Sequence, residues 1–158
     1  MNTLKARDIL IHYGDDYDLK KFNSKLYVKR NIKSEIRKHN ISTIPNMVVA
    51  KINAIIDRVM VVFDVYIPPG QFNFGITILK DDDEVNQKFK EIYNKDVDYI
   101  AFYSRKQEMI FLSSRHSKLS VVTHEIGHAI AEMHFRPNSP SRALHEVIAQ
   151  FAEKNIYD

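Results

Sequence analysis

An α+β fold follows from three features of the sequence. Apolar residues at helical spacing alternate with short strand-like runs through the middle of the chain, two of those runs are consecutive and joined by a polar turn, and two helical segments separated by prolines close the sequence. With 158 residues and 44% hydrophobic content, the chain can bury about two-thirds of its unfolded surface, enough for one core. The expectation is therefore a single domain over residues 1–158.

Residues 1–40 are read as a basic N-terminal segment without a defined element. Lys5, Arg7, Lys20, Lys21, Lys25, Lys29, Arg30, Lys33, Arg37 and Lys38 outnumber Asp8, Asp15, Asp16, Asp18 and Glu35, so most of the excess positive charge sits here. With Tyr17, Phe22 and Tyr27 interleaved, such a stretch can meet nucleic acid or an acidic partner, or cover a cleft as a propeptide does. The modest net charge of +3 favours a solvated helix face instead.

Thr43-Ile44-Pro45-Asn46 has the form of a helix start, and Val48, Ile52, Ile55, Ile56, Val59, Val62, Phe63 and Tyr66 recur at helical spacing until Pro68-Pro69-Gly70. A long buried helix is expected, although the β-branched second half also suits a strand. Phe74–Leu79 reads as a strand. Asp81-Asp82-Asp83-Glu84 then places negative charge at a helix N-terminus, followed by Val85, Phe89, Ile92 and Tyr93 on one face. Asp98–Tyr103 and Glu108–Ser113 are two strands joined by Ser104-Arg105-Lys106-Gln107, an antiparallel hairpin. A helix begins near Lys118. Pro137-Asn138-Ser139-Pro140 breaks it, with Ser139 placed to cap the next helix and Pro140 at its first position. Ala143, Leu144, Val147, Ile148 and Phe151 give that last helix its apolar periodicity.

Several classes are excluded or disfavoured. There is no cysteine, hence neither a disulfide nor a thiolate ligand. The N-terminus lacks the apolar stretch of a signal peptide, and Asp57, Arg58 and Asp64 interrupt the longest apolar run, so a cytoplasmic protein without membrane contact is expected. No repeat or glycine-rich phosphate loop occurs.

The chemistry concentrates in His124-Glu125-Ile126-Gly127-His128. Four residues apart on a helix, the two imidazoles fall on one face in adjacent turns and can reach one metal ion. H-E-x-x-H is a zinc motif in which the glutamate serves as general base. Between Val121 and Ala131 the only charge is Glu125, so the helix is mostly buried and its polar groups need partners; a metal supplies one. Hydrogen-bonded core histidines beside a surface glutamate are the plain alternative.

Catalytic zinc takes three protein ligands and one open position, so a third donor is needed. His134 has the metzincin ligand spacing, but Ala131 stands where that family has glycine, and on an unbroken helix His134 lies roughly 9 Å beyond His128 and about 240° around. Glu146, mid-helix among apolar neighbours in the following segment, is the preferred third ligand. His145 and Glu153 are the remaining candidates.

With H-E-x-x-H on one helix and a glutamate on the next, the last third of the chain resembles the gluzincin metallopeptidases. Glu146-Val147-Ile148-Ala149-Gln150-Phe151-Ala152 is similar to the glutamate helix of anthrax lethal factor-like and of ImmA/IrrE-like peptidases. Gln150 stands where several gluzincins have an acidic residue, and no tyrosine occurs around Ser139 where the lethal factor type places one. The resemblance implies a zincin-like fold: a small mixed sheet, a long backing helix, an active-site helix and a C-terminal ligand helix. It implies Zn²⁺ held by His124, His128 and Glu146, with Glu125 as general base of peptide hydrolysis, and a peptide or protein substrate added as a strand to the 98–113 hairpin. For the oxyanion, candidate donors are His134, Arg142, His145, Tyr103 and Tyr157, with His145 and Tyr157 preferred for their closeness to the ligand helix. A catalytically silent zinc-binding interaction protein and a nucleic-acid-binding regulator are the competing classes.

Overall fold

A computed structural model describes residues 1–39 and 41–156, and of residues 31, 32 and 35 the backbone alone. The chain is mixed α and β. Its strands are β1 (Asn2–Ala6), β2 (Ile9–Tyr13), β3 (Gly75–Leu79), β4 (Ala101–Ser104) and β5 (Met109–Ser113). Its helices are α1 (Asp16–Lys25), α2 (Arg30–Lys38), α3 (Ile44–Phe63), α4 (Asp82–Tyr93), α5 (Leu119–Phe135) and α6 (Arg142–Asn155).

The sheet order is β1-β2-β3-β5-β4, parallel at β2/β3 and β3/β5 and antiparallel at both rims. Side-chain alternation sorts its two faces. Ile76, Ile78, Ile110 and Leu112 point into the main core with α1, α3 and α5, whereas Phe102, Phe111 and Leu79 meet Val85, Phe89 and Ile92 of α4 on the other side.

The N-terminus differs from the expectation of a segment without strands. Residues 2–13 form a hairpin whose second strand contributes Ile9, Ile11 and Tyr13 to the core, and Leu19 and Phe22 of α1 are buried above it. Its turn is Arg7-Asp8, with Arg7 in the left-handed region at φ 59°. The lysines that dominate this segment lie mostly on the outer faces of these elements.

Helix α3 is helical throughout. Thr43 caps it by accepting from the Asn46 amide at 3.3 Å, and Val48, Ile52, Ile55, Ile56 and Val59 are fully buried. It stops where Asp64 adopts the left-handed conformation and donates its N–H to Met60 and Val61 carbonyls, leaving Tyr66 beyond the helix and exposed. Helix α4 is capped by Asp81, which accepts from Glu84 N–H at 3.0 Å. The 98–113 hairpin is present but shorter than expected: residues 98–100 stay outside β4, and Glu108 at φ 51° closes the turn before β5. Among the described residues no helix is long and apolar enough to cross a membrane.

Two expectations for the last helix are corrected. The cap is Ser141, accepting from Leu144 N–H at 3.2 Å, because Ser139 donates its hydroxyl to Glu132 Oε2 at 2.7 Å. The apolar run is not the buried face either. Leu144, Val147 and Phe151 are 50, 61 and 53% exposed, while Ala149, Ala152 and Ile156 are buried. Small residues rather than large ones seat α6 on α5.

Candidate metal centre

Helix α5 divides its circumference between two tasks. Leu119, Val122, Ile126, Ala129 and Ile130 are buried in the core, and His124, His128 and Glu132, at four-residue intervals, form a row turned toward α6. Gly127 lets the two helices close. A Cβ there would lie 3.3 Å from Ala152 Cβ and 3.4 Å from Ala149 Cα, tighter than ordinary packing allows.

At that separation Glu146 reaches both histidines of the motif. His128 Nε2 lies 2.8 Å from Glu146 Oε1 and His124 Nε2 lies 3.2 Å from Glu146 Oε2. The donor atoms of His124, His128 and Glu146 all fall within 4.8 Å of one another. Ligands bound tetrahedrally at about 2.0–2.1 Å lie roughly 3.4 Å apart, so small side-chain adjustments fit this group to a zinc-sized ion. Two imidazoles and one carboxylate also match the donor set of a zinc site that keeps one position open.

The remaining ring nitrogens are spoken for. His124 Nδ1 lies 2.9 Å from Glu153 Oε1, which assigns Nδ1–H to Glu153 and leaves Nε2 as the donor atom. His128 Nδ1 lies 2.8 Å from His145 Nδ1, and His145 Nε2 lies 3.3 Å from Glu132 Oε1. Burial pushes His128 well below the usual imidazole range, with His124 and His145 adding to the effect and Glu146 opposing it. His128 is therefore neutral near pH 7, the state a ligand requires.

Glu125 sits one residue around the helix, 7% exposed, with Oε2 lacking a hydrogen-bond partner. Burial, then the charge of Glu146, pushes its carboxyl up to about 8; the backbone amide of Tyr103 on β4 works in the other direction. That contact places the carboxylate against the rim strand. Tyr103 itself keeps its phenol proton, burial holding its pKa up at about 12.

Of the other sequence candidates, His134 is exposed in the last turn of α5 and stacks edge-on against Phe135 at 4.9 Å, apart from the donor group. Helix α5 runs past Ala131 without a break, which keeps it there. Arg142 is exposed at the first position of α6. His145 has both ring nitrogens engaged as just described, and Glu153 is a partner of His124 rather than a member of the donor group. Tyr157 lies outside the described residues. Sequence reasoning missed Glu132. Its signal was a carboxylate four residues after His128 on a helix otherwise apolar at that level.

Comparison with known protein families, with curated proteins and with solved structures finds no match to this chain.

Proposed function

We propose that the chain is a zinc-dependent endopeptidase built as one zincin-like unit, with His124, His128 and Glu146 as metal ligands and Glu125 as general base. One observation carries this reading: the nitrogens of an H-E-x-x-H pair converge on a carboxylate from the next helix within 4.8 Å, and the intervening glutamate is buried with a free oxygen. A divalent cation held there supplies Lewis acidity, acidifying a water and polarising a carbonyl.

The chain's own residues do the rest. Glu125 takes a proton from the attacking water and returns it to the leaving amine. Without a metal, burial and the charge of Glu146 push its carboxyl up to about 8; a cation held by the neighbouring ligands would favour the ionised form, which is the base. Strand β4 lies at the rim of the sheet with no strand beyond it among the described residues, and its Tyr103 amide meets Glu125, so an extended peptide added to that rim would run past Glu125.

A zinc-binding interaction protein without turnover is the second reading, favoured by the exposed Leu144, Val147 and Phe151 on the ligand helix. Both readings are tested together by incubating purified protein with a library of unstructured peptides, with and without a chelator, beside Glu125→Gln. Chelator-sensitive cleavage by the parent and none by a zinc-loaded Glu125→Gln supports the peptidase. Equal cleavage by the two proteins rejects Glu125 as base; zinc uptake with no cleavage by the parent selects the interaction protein.

A further inference from the structure

Behind His128 stands a carboxylate–imidazole pair to which the peptidase reading gives no role. Glu132, one turn along α5, is 1% exposed. Its carboxylate gathers Ser139 Oγ at 2.7 Å, Arg136 Nε at 3.1 Å, Arg105 Nε at 3.3 Å and His145 Nε2 at 3.3 Å. A charge so enclosed is retained because four donors surround it.

The ring of His145 is the bridge from that carboxylate to the ligand. Two imidazole nitrogens 2.8 Å apart, as His145 Nδ1 and His128 Nδ1 are, share one proton: one ring donates and the other accepts. An ionised carboxylate only accepts, so His145 turns Nε2–H toward Glu132. In the neutral ring Nδ1 is then bare and accepts Nδ1–H from His128. That leaves His128 with its lone pair on Nε2, the nitrogen 2.8 Å from Glu146 Oε1 in the donor group.

We propose that His145 and Glu132 are positioning residues, a relay that fixes the tautomer and ring orientation of His128 toward the ion. The relay rests on the metal-site reading and deepens it: His124 is held by a carboxylate directly, His128 by a carboxylate acting through a second imidazole. Such outer partners set metal affinity by about 10–100-fold.

The test measures zinc affinity by chelator competition in the parent, His145→Phe and His145→Asn. Phenylalanine keeps the ring shape without an acceptor, and asparagine restores an acceptor near the position of Nδ1. The expected result is affinity weakened by about 10–100-fold in His145→Phe and within a few-fold of the parent in His145→Asn. Parent-like affinity in His145→Phe overturns the relay, and so does equal weakening in both variants, which would mark a packing role. Should His145→Phe not fold, nitrogen chemical shifts of the unaltered zinc-loaded protein decide. Protons on His128 Nδ1 and His145 Nε2 with a bare His145 Nδ1 support the relay, and any other pattern overturns it. A parent that takes up no zinc rejects the metal site itself, a result distinct from any difference between the variants.

Discussion

His124 is held at both ring nitrogens by one helix: Glu146 Oε2 lies 3.2 Å from Nε2 and Glu153 Oε1 lies 2.9 Å from Nδ1. Seven residues separate the two glutamates, two turns of α6, so they align along the same side of that helix. Truncating Glu153 to alanine is expected to weaken zinc binding about 10–100-fold without removing a ligand, and Glu153→Gln, which still accepts from Nδ1–H, is expected to lose less. Competition against a chelator of known affinity measures both.

The raised carboxyl of Glu125 gives the metal-free protein a pH dependence of definite sign. The unfolded carboxyl loses its proton near 4.5 and the folded one near 8, so between these values the folded state binds more protons and stability falls as pH rises. Below 4.5 the contribution is fully present; above 8 it is gone. Chemical unfolding of metal-free protein across this range is expected to show the decline, and Glu125→Gln to flatten it. Zinc uptake at pH 7 is expected to expel about one proton more from the parent than from Glu125→Gln, read by calorimetry in two buffers of different ionisation enthalpy.

Gly127 sets the spacing of α5 and α6, since a Cβ there meets Ala152 Cβ at 3.3 Å. Valine adds two further carbons in that gap. Overpacking of this kind costs about 1–3 kcal/mol, equivalent to a fall of several degrees in Tm for a chain of this length. Zinc affinity is expected to fall as well, because the displaced helix carries Glu146. Thermal unfolding and metal titration of Gly127→Val test both halves, and a variant with parental affinity would show that the close approach is dispensable.

The two serines before α6 have separable roles. Ser141→Ala removes the N-cap and is expected to cost about 1 kcal/mol in thermal unfolding. Ser139→Ala leaves the cap intact but removes a donor from Glu132. It is expected to lower zinc affinity more than Ser141→Ala does, a ranking that a parallel titration of the two variants decides.

Much of this arrangement was legible in the sequence because its signals are local. Thr43 and Pro45 announce α3, Asp81 announces α4, and the four-residue spacing of His124 and His128 needs only a helix to become a pair. Elements that depend on distant partners were harder to read. Strands β1 and β2 are five residues each, carry Lys5 and His12, and turn through Arg7-Asp8 without glycine or asparagine, so neither alternation nor turn chemistry marks them. Periodicity misplaced the buried face of α6, because large apolar residues outweigh alanine in any such pattern. The cue to the true face lies in another helix, where Gly127 makes room only for something as small as Ala149 or Ala152.

Helix α6 keeps Ala149 and Ala152 from water, with Ile156 just past its end buried too, and turns Leu144, Val147 and Phe151 outward. The large apolar side chains of α6 add little to its seat on α5, and His145, Glu146 and Glu153 join it there through polar contacts instead. An ion bridging Glu146 to α5 would thus rivet α6 in place, and how tightly it is gripped and how seldom that helix peels away become two measures of one quantity.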